Sequence, residues 1–207
     1  MKGWLINNDG DFVLTDIPSE ELSDKTDSIK VRITKSLVEV ADVLRYTGEY
    51  DCKNIILGST GVGVLEHDVP FDEDSVIIEN ANKTKRVYVA PYKNCKECIY
   101  CKNNDKTRCS DILIAGEDYD GFLKEFVTAD ASMVFDIPNV VTDDKALFIE
   151  TVSLCLNIID RLSIQKGEHV LILGADNTGI ILAQILKYYQ SIPIIIDNDE
   201  DKIKLAK

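Results

Sequence analysis

Residues 93–110 are the most informative part of the chain and read Lys-Asn-Cys-Lys-Glu-Cys-Ile-Tyr-Cys-Lys-Asn-Asn-Asp-Lys-Thr-Arg-Cys-Ser. They hold four of the six cysteines, spaced C-x2-C-x2-C-x7-C: Cys95, Cys98, Cys101 and Cys109. The residues between them are mostly polar or charged, so this segment cannot form an apolar core of its own. Four thiolates on one Zn2+ would hold it, because the short spacers let successive sulfur atoms turn onto the same ion. A site closed by four sulfur ligands is structural, and we expect one such zinc per chain.

Disulfides and an iron–sulfur cluster are the two other interpretations of the four cysteines. Disulfides belong to oxidising compartments, and the N-terminus has no apolar targeting core, so we expect reduced cysteines and a cytoplasmic protein. An iron–sulfur cluster also uses four thiolates, and spacing alone does not separate it from zinc. Iron–sulfur therefore stays open as the alternative at this stage.

The composition restricts the classes of partner. The chain has 207 residues, enough for one domain and part of another, and a formal net charge of −13. This acidity argues against nucleic acid and against anionic membrane surfaces as partners. No apolar run approaches the ~20 residues that a membrane-spanning helix needs.

The first 150 residues are typical of a β-rich domain. Asn8-Asp9-Gly10 lies between two apolar stretches and predicts a hairpin, with Gly at the position that needs a positive φ. One helix is expected over 36–47, where apolar residues recur at helical spacing and Gly48 ends the pattern. Alternating or short apolar runs predict strands at 29–34, 55–57, 75–79, 86–92, 112–115, 122–128 and 132–137.

The pattern changes after residue 150. Helix is expected over 142–162, in two pieces. Residues 169–173 form a continuous apolar run, typical of a strand buried on both faces in a parallel sheet. A turn at 174–179 leads into a helix over 180–189, and a second apolar strand follows at 192–196. A further helix begins at 199. This order is one βαβ unit, so the class is α+β followed by α/β.

The order of elements and motifs resembles the zinc-type alcohol and polyol dehydrogenases of the medium-chain dehydrogenase/reductase superfamily. The resemblance runs along the whole chain, from the hairpin and the cysteine lobe to Leu57-Gly58, Gly61-x-Gly63, Gly121-Phe122 and the βαβ unit. It implies a GroES-like β-rich catalytic domain over 1–150, with the zinc lobe at 93–110, and a partial Rossmann nucleotide-binding domain over 151–207. It also implies hydride transfer between an alcohol and NAD(P), with a second zinc polarising the alcohol oxygen.

The resemblance places the second zinc on residues that this chain has replaced. Glu39 stands where the family has a cysteine ligand, and Ser59 and Thr60 stand where it has His and Glu after Gly58. Glu150 keeps the acidic character of the third position. Two carboxylates without thiolate or imidazole do not make a tight catalytic zinc site, which needs three protein ligands. His67, Cys52 and Cys155 are not expected to supply one.

The nucleotide-binding turn is altered as well. Gly174-Ala175-Asp176-Asn177-Thr178-Gly179 keeps the first and last glycines of G-x-G-x-x-G but has Asp176 at the middle one. A carboxylate ~4 Å from a phosphate charge costs roughly 4 kcal/mol at an effective dielectric of ~20, unless the side chain turns away. Asp197 follows the second strand, where an acidic residue would bind the adenosine ribose or cap the next helix. The resemblance implies that NAD binds at Gly174, Gly179 and Asp197. The charge of Asp176 argues against this binding.

Three functions remain in competition. The favoured one is an alcohol dehydrogenase-like protein with its structural zinc kept, its catalytic zinc ligands replaced, and weak or no activity. An active NAD-dependent dehydrogenase of a small alcohol or polyol is the first alternative. A non-catalytic, zinc-stapled binding or assembly protein is the second. If the chain reacts at all, we expect a zinc-independent reduction in which Ser59 or Thr60 polarises the carbonyl.

Self-association is the first testable expectation. The βαβ unit supplies two strands, whereas a complete doubly wound sheet has about six. An open apolar strand edge must be paired or covered, so we expect a homo-oligomer by light scattering at micromolar concentration. A monodisperse monomer would contradict it.

Overall fold

The computed structural model describes residues 1–18, 28–50, 54–66 and 85–207. The expected strand at 75–79, His67 and Cys52 lie outside these residues. The chain divides into two compact units, Met1–Leu147 and Phe148–Lys207. Within the described ranges, no helix is long and apolar enough to cross a membrane.

The first unit is built on short antiparallel strands. The strands are β1 Lys2–Ile6, β2 Phe12–Asp16, β3 Ser28–Leu37, β4 Ile55–Ile56, β5 Thr60–Leu65, β6 Arg86–Val89, β7 Tyr92–Lys93, β8 Leu113–Ile114, β9 Phe126–Asp130 and β10 Val134–Asp136. A five-stranded sheet has the order β10-β6-β5-β3-β9, a three-stranded sheet has the order β2-β1-β4, and β7 pairs with β8. The helices are α1 Val40–Tyr46, α2 Ile99–Lys102 and α3 Asp143–Ala146, with 3-10 turns at Lys106–Arg108 and Ala131–Met133.

The core of this unit follows the alternation of its strands. In β3, Ile29 and Val31 are buried, while Lys30 between them and Arg32 after them are not. Val31 packs with buried valines of β6 and β9 and with Phe122. Because side chains alternate across a strand, one face of the sheet supplies the apolar core.

The hairpin at the N-terminus forms where the sequence predicts it. β1 pairs with β2 from Lys2↔Asp16 to Ile6↔Phe12. The Asn7 side-chain oxygen accepts hydrogen bonds from the backbone N–H groups of Asp9 and Asp11, at 2.9 and 2.8 Å. Gly10 has φ +89°, the conformation that favours glycine.

Two element boundaries differ from the expectation because of long-range pairing. The helix expected over 36–47 begins only at Val40, since β3 continues to Leu37, which pairs with Thr60 of β5. The strand expected over 122–128 begins at Phe126. Residues 121–123 instead form backbone hydrogen bonds with the segment that ends at Gly58. The backbone N–H of Phe122 donates to the Gly58 carbonyl at 2.8 Å.

The second unit is a βαβ unit with helices on either side in sequence. It contains α4 Ile149–Leu162, β11 His169–Leu173, α5 Asn177–Tyr188, β12 Ile192–Ile196 and α6 Glu200–Ala206. β11 and β12 are parallel, from His169↔Ile192 to Leu173↔Ile196. Ile172 packs with Ile159 of α4 and with Ala183 and Leu186 of α5.

The expected burial of both faces of β11 is wrong for this chain. Alternate residues of the two strands are exposed: Leu171, Leu173, Ile192, Ile194 and Ile196, with Leu173 78% exposed. An apolar cluster of buried side chains from α4, β11 and α5 lies on the other face: Ile159, Ile172, Ala183 and Leu186. Self-association through the open strand edge stays a prediction.

Gly121→Ala tests the close backbone packing between residues 121–123 and Gly58. A Cβ on Gly121 would lie 2.2 Å from the Gly58 carbonyl oxygen and 2.5 Å from that of Leu57, so backbone would have to move. We expect a loss of about 3 kcal/mol in unfolding free energy, measured by urea denaturation. Gly3→Ala is the control, because its Cβ meets only the mobile end of the Ile17 side chain at 2.9 Å and two side-chain carbons at 3.2 Å. Equal losses in the two variants would contradict the packing argument.

Candidate functional site

The four cysteines of the 93–110 lobe come together around one point. Their Sγ atoms all lie within 4.8 Å of one another. The Sγ atoms of Cys95 and Cys101 are 3.9 Å apart, and those of Cys95 and Cys109 are 3.5 Å apart. None of residues 93–110 is buried, so no apolar core holds this lobe.

The sulfur geometry suits a single tetrahedral ion. Four Zn–S bonds of ~2.3 Å place the sulfur atoms about 3.8 Å apart, close to the separations seen. Every described cysteine is a free thiol, so disulfides do not account for the cluster. A multi-iron cluster spreads its thiolates over different iron atoms, which sulfur atoms this close do not accommodate. The cysteine cluster therefore fits a zinc.

Backbone N–H groups point at the sulfur atoms and favour the thiolate form. Cys95 N–H donates to Cys109 Sγ at 3.4 Å, Cys98 N–H to Cys95 Sγ at 3.3 Å, and Cys101 N–H to Cys98 Sγ at 3.4 Å. The N–H groups of Cys101 and Ser110 lower the pKa of Cys98 to about 6, which favours the thiolate that binds a metal. Desolvation raises the pKa of Cys101 to about 12.

A second cluster joins the three positions at which the resemblance implies a replaced residue: Glu39, Ser59 and Thr60. The Thr60 hydroxyl donates to Glu39 Oε1 at 2.6 Å, and the Ser59 hydroxyl makes a longer contact of 3.5 Å with Glu39 Oε2. Thr60 is completely buried at the start of β5, and Glu39 immediately precedes α1. Both oxygens of the Glu39 carboxylate therefore face hydroxyl groups of the chain itself.

Asp42 positions this cluster, and the sequence analysis missed it. Its side chain is 2% exposed and accepts hydrogen bonds from Gly58 N–H and Glu39 N–H, each at 2.9 Å. The available signal was its spacing, since an acidic residue three positions after a helix N-cap commonly bonds back to the cap N–H. Here the same carboxyl group also holds the end of the loop before Ser59.

Glu150 belongs to the other unit. It lies in the first turn of α4 and is half-buried. Cys155 lies one turn further along α4, is fully buried, and donates its thiol to the Thr178 carbonyl at 3.7 Å. Burial raises the pKa of Cys155, and the nearby Asp176 charge adds to the effect. Cys155 is therefore a core residue of this unit, in line with the expectation that it is not a metal ligand.

The turn between β11 and α5 keeps two glycines for clear reasons. Gly174 has φ +112°, and a Cβ on Gly179 would lie 2.1 Å from the Gly174 carbonyl oxygen. These are the tight-turn and close-packing roles of the outer glycines of a dinucleotide fingerprint. Between them, Asp176 is the N-cap of α5 and accepts from Gly179 N–H at 2.8 Å.

Asp197 holds the same turn from the end of β12. Its carboxylate accepts from Ala175 N–H at 2.7 Å and from Asp199 N–H at 2.9 Å. These bonds lower the pKa of Asp197. The N-cap of α6 is Asp199, so the interpretation of Asp197 as that cap is wrong.

Comparison with known proteins identifies the family. Residues 25–139, more than half of the chain, match the family model described as the alcohol dehydrogenase GroES-like domain. The chain belongs to the zinc-type alcohol dehydrogenase family. An uncharacterized zinc-type alcohol dehydrogenase-like protein of Haemophilus influenzae is 25% identical over 210 residues, which cover 100% of this chain and 59% of that protein.

Solved structures of the family share the fold. Galactitol-1-phosphate dehydrogenase of Escherichia coli has a TM-score of 0.85 at 21% identity, covering 100% of this chain and 58% of that one. A short chain alcohol dehydrogenase of Escherichia coli complexed with NADH has a TM-score of 0.81 at 23% identity, covering 100% and 59%. The predicted fold class, a GroES-like β-rich domain followed by the first βαβ unit of a Rossmann domain, is confirmed. The chain spans about three-fifths of the length of these relatives.

Cys98→Ser tests whether metal holds the lobe. Structural zinc contributes ~10–16 kcal/mol in small zinc domains, so we expect loss of zinc and fast hydrogen exchange across 93–110. The five-stranded sheet has its own core and should stay protected from exchange. Cys155→Ser is the control: it changes a thiol outside the cluster and should keep the zinc. A Cys98→Ser lobe that stayed protected in the presence of chelator would contradict the role of metal.

Proposed function

We propose that this member of the alcohol dehydrogenase family holds one structural zinc on its four lobe cysteines and none at the position of the catalytic zinc. The observation that carries the proposal is the 2.6 Å hydrogen bond from Thr60 to Glu39. It places a hydroxyl donor against the carboxylate that would have to bind the ion.

The chemistry of the donor set supports the same conclusion. A catalytic zinc needs three protein ligands and an open position, and hydroxyls such as Ser59 and Thr60 are poor zinc ligands at neutral pH. Glu39 and the two hydroxyls beside it therefore supply one carboxylate ligand, fewer than the three protein ligands that a catalytic zinc needs. Among the residues that the structure describes, the four cysteines form the only group of three or more His, Cys, Asp or Glu side chains close enough to share an ion.

The same hydrogen bond argues against Thr60 as the hydroxyl of a zinc-independent reduction. A hydroxyl polarises a substrate carbonyl by donating its proton to the carbonyl oxygen. The Thr60 proton is already donated to Glu39, inside a fully buried position. The function we propose is therefore a zinc-stapled family scaffold with little or no alcohol or polyol oxidation. A binding or assembly role of this scaffold fits the exposed apolar face of β11 and β12.

Metal content per chain is the decisive measurement for this proposal. By inductively coupled plasma mass spectrometry, we expect one zinc per chain in protein purified without added metal, and the same in Glu39→Gln. The Gln variant removes the charge that a second zinc would need but leaves the lobe untouched. Two zincs in the unmodified chain, or a loss of zinc in Glu39→Gln, would instead establish a catalytic zinc site and favour an active dehydrogenase.

A further inference from the structure

Asp176 occupies the end of α5 that binds phosphate in dinucleotide-binding folds. The N-terminus of a helix carries partial positive charge and unpaired N–H groups, and a pyrophosphate normally uses both. In this chain the Asp176 carboxylate accepts the Gly179 N–H at 2.8 Å, while its own carbonyl accepts the Ile180 N–H at 2.9 Å. The helix end therefore already has an anion of its own.

A second carboxylate uses another N–H group of the same turn. Asp197 accepts the Ala175 N–H at 2.7 Å. Two of the backbone donors that line the turn, Ala175 and Gly179, are thus directed at carboxylates of the chain. A phosphate approaching the turn would meet both negative charges and would have to compete for these donors.

We propose that Asp176 closes this turn to the pyrophosphate of NAD(P), so that the residue at the middle glycine position decides whether a dinucleotide binds. A carboxylate ~4 Å from a phosphate charge weakens binding on the order of a thousandfold at an effective dielectric of ~20. The Asp176 side chain is exposed, which reduces the effect below that limit. The proposal concerns cofactor binding and holds whatever the zinc content of the chain.

The physical alternative is that Asp176 is only a helix cap. Asn caps a helix about as well as Asp, so Asp176→Asn removes the charge and keeps the cap. Asp176→Gly removes both the charge and the side chain and restores the glycine of the fingerprint. Thermal unfolding of the two variants checks that each remains folded before its ADP binding is compared with that of the unmodified chain.

Calorimetric titration with ADP and with NADH tests the proposal. ADP carries the pyrophosphate without the nicotinamide, so it probes the turn itself. We expect no measurable binding to the unmodified chain, measurable ADP binding to Asp176→Asn, and ADP binding to Asp176→Gly about a hundredfold or more tighter than to the unmodified chain. Asp199→Asn is the matched control: it makes the same charge change at the cap of α6 and should leave ADP binding absent.

Three results would overturn the proposal. The unmodified chain could bind ADP or NADH as tightly as the variants, which would mean that Asp176 does not exclude the pyrophosphate. Neither Asp176 variant could bind ADP, which would mean that another feature closes the turn. Asp199→Asn could gain as much as Asp176→Asn, which would reduce the effect to overall charge. The proposed function is tested separately, by zinc content. A failure of that proposal can therefore be distinguished from a failure of the proposal on Asp176.

Discussion

The hydrogen bonds of the buried Asp42 fix the geometry of the region where the family carries out its chemistry. A carboxyl group withdrawn from water costs several kcal/mol unless donors satisfy it. Asp42 takes one donor from Glu39 at the start of α1 and the other from Gly58 before β5. Glu39 and Ser59 are held at the two ends of this connection, and Thr60 comes next. The 2.6 Å bond between Thr60 and Glu39 depends on this arrangement, because Asp42 holds the residues that carry both partners.

The clusters around Glu39 and Asp176 have one physical feature in common. Where the family binds a cation, Glu39 has hydroxyl donors against its carboxylate. Where the fold binds an anion, Asp176 supplies the negative charge that the helix end attracts. In each case, hydrogen bonding within the chain satisfies groups that an external ligand satisfies in a dinucleotide-dependent zinc enzyme. The two clusters lie in different units, so each arrangement is complete within its own unit.

The sequence predicted the elements that depend only on neighbouring residues, such as β11, β12 and the cysteine cluster. The runs at β11 and β12 gave their bounds directly, because each is a continuous apolar segment beside a clear turn. The cysteine spacing predicted the cluster for the same reason. The predicted start of α1 was wrong, and the turn at 121–123 was not predicted. Both depend on pairing with residues far along the chain. The spacing of Asp176 and Gly179 permitted a cap, but whether the side chain turns inward or outward is a property of the folded turn.

The two metal positions of the family differ in what the fold requires of them. The 93–110 lobe contains no buried residue, so without its ion little but local hydrogen bonds would order it. The region around Glu39 is the reverse case, because Thr60 is fully buried and Asp42 nearly so, and both have hydrogen-bond partners. Leaving a buried polar group unpaired costs about 1–3 kcal/mol, whereas pairing it within the chain avoids that cost. The region around Glu39 therefore needs no metal for its stability, because its polar residues pair with one another, whereas the 93–110 lobe has no buried pairs that could take the place of an ion.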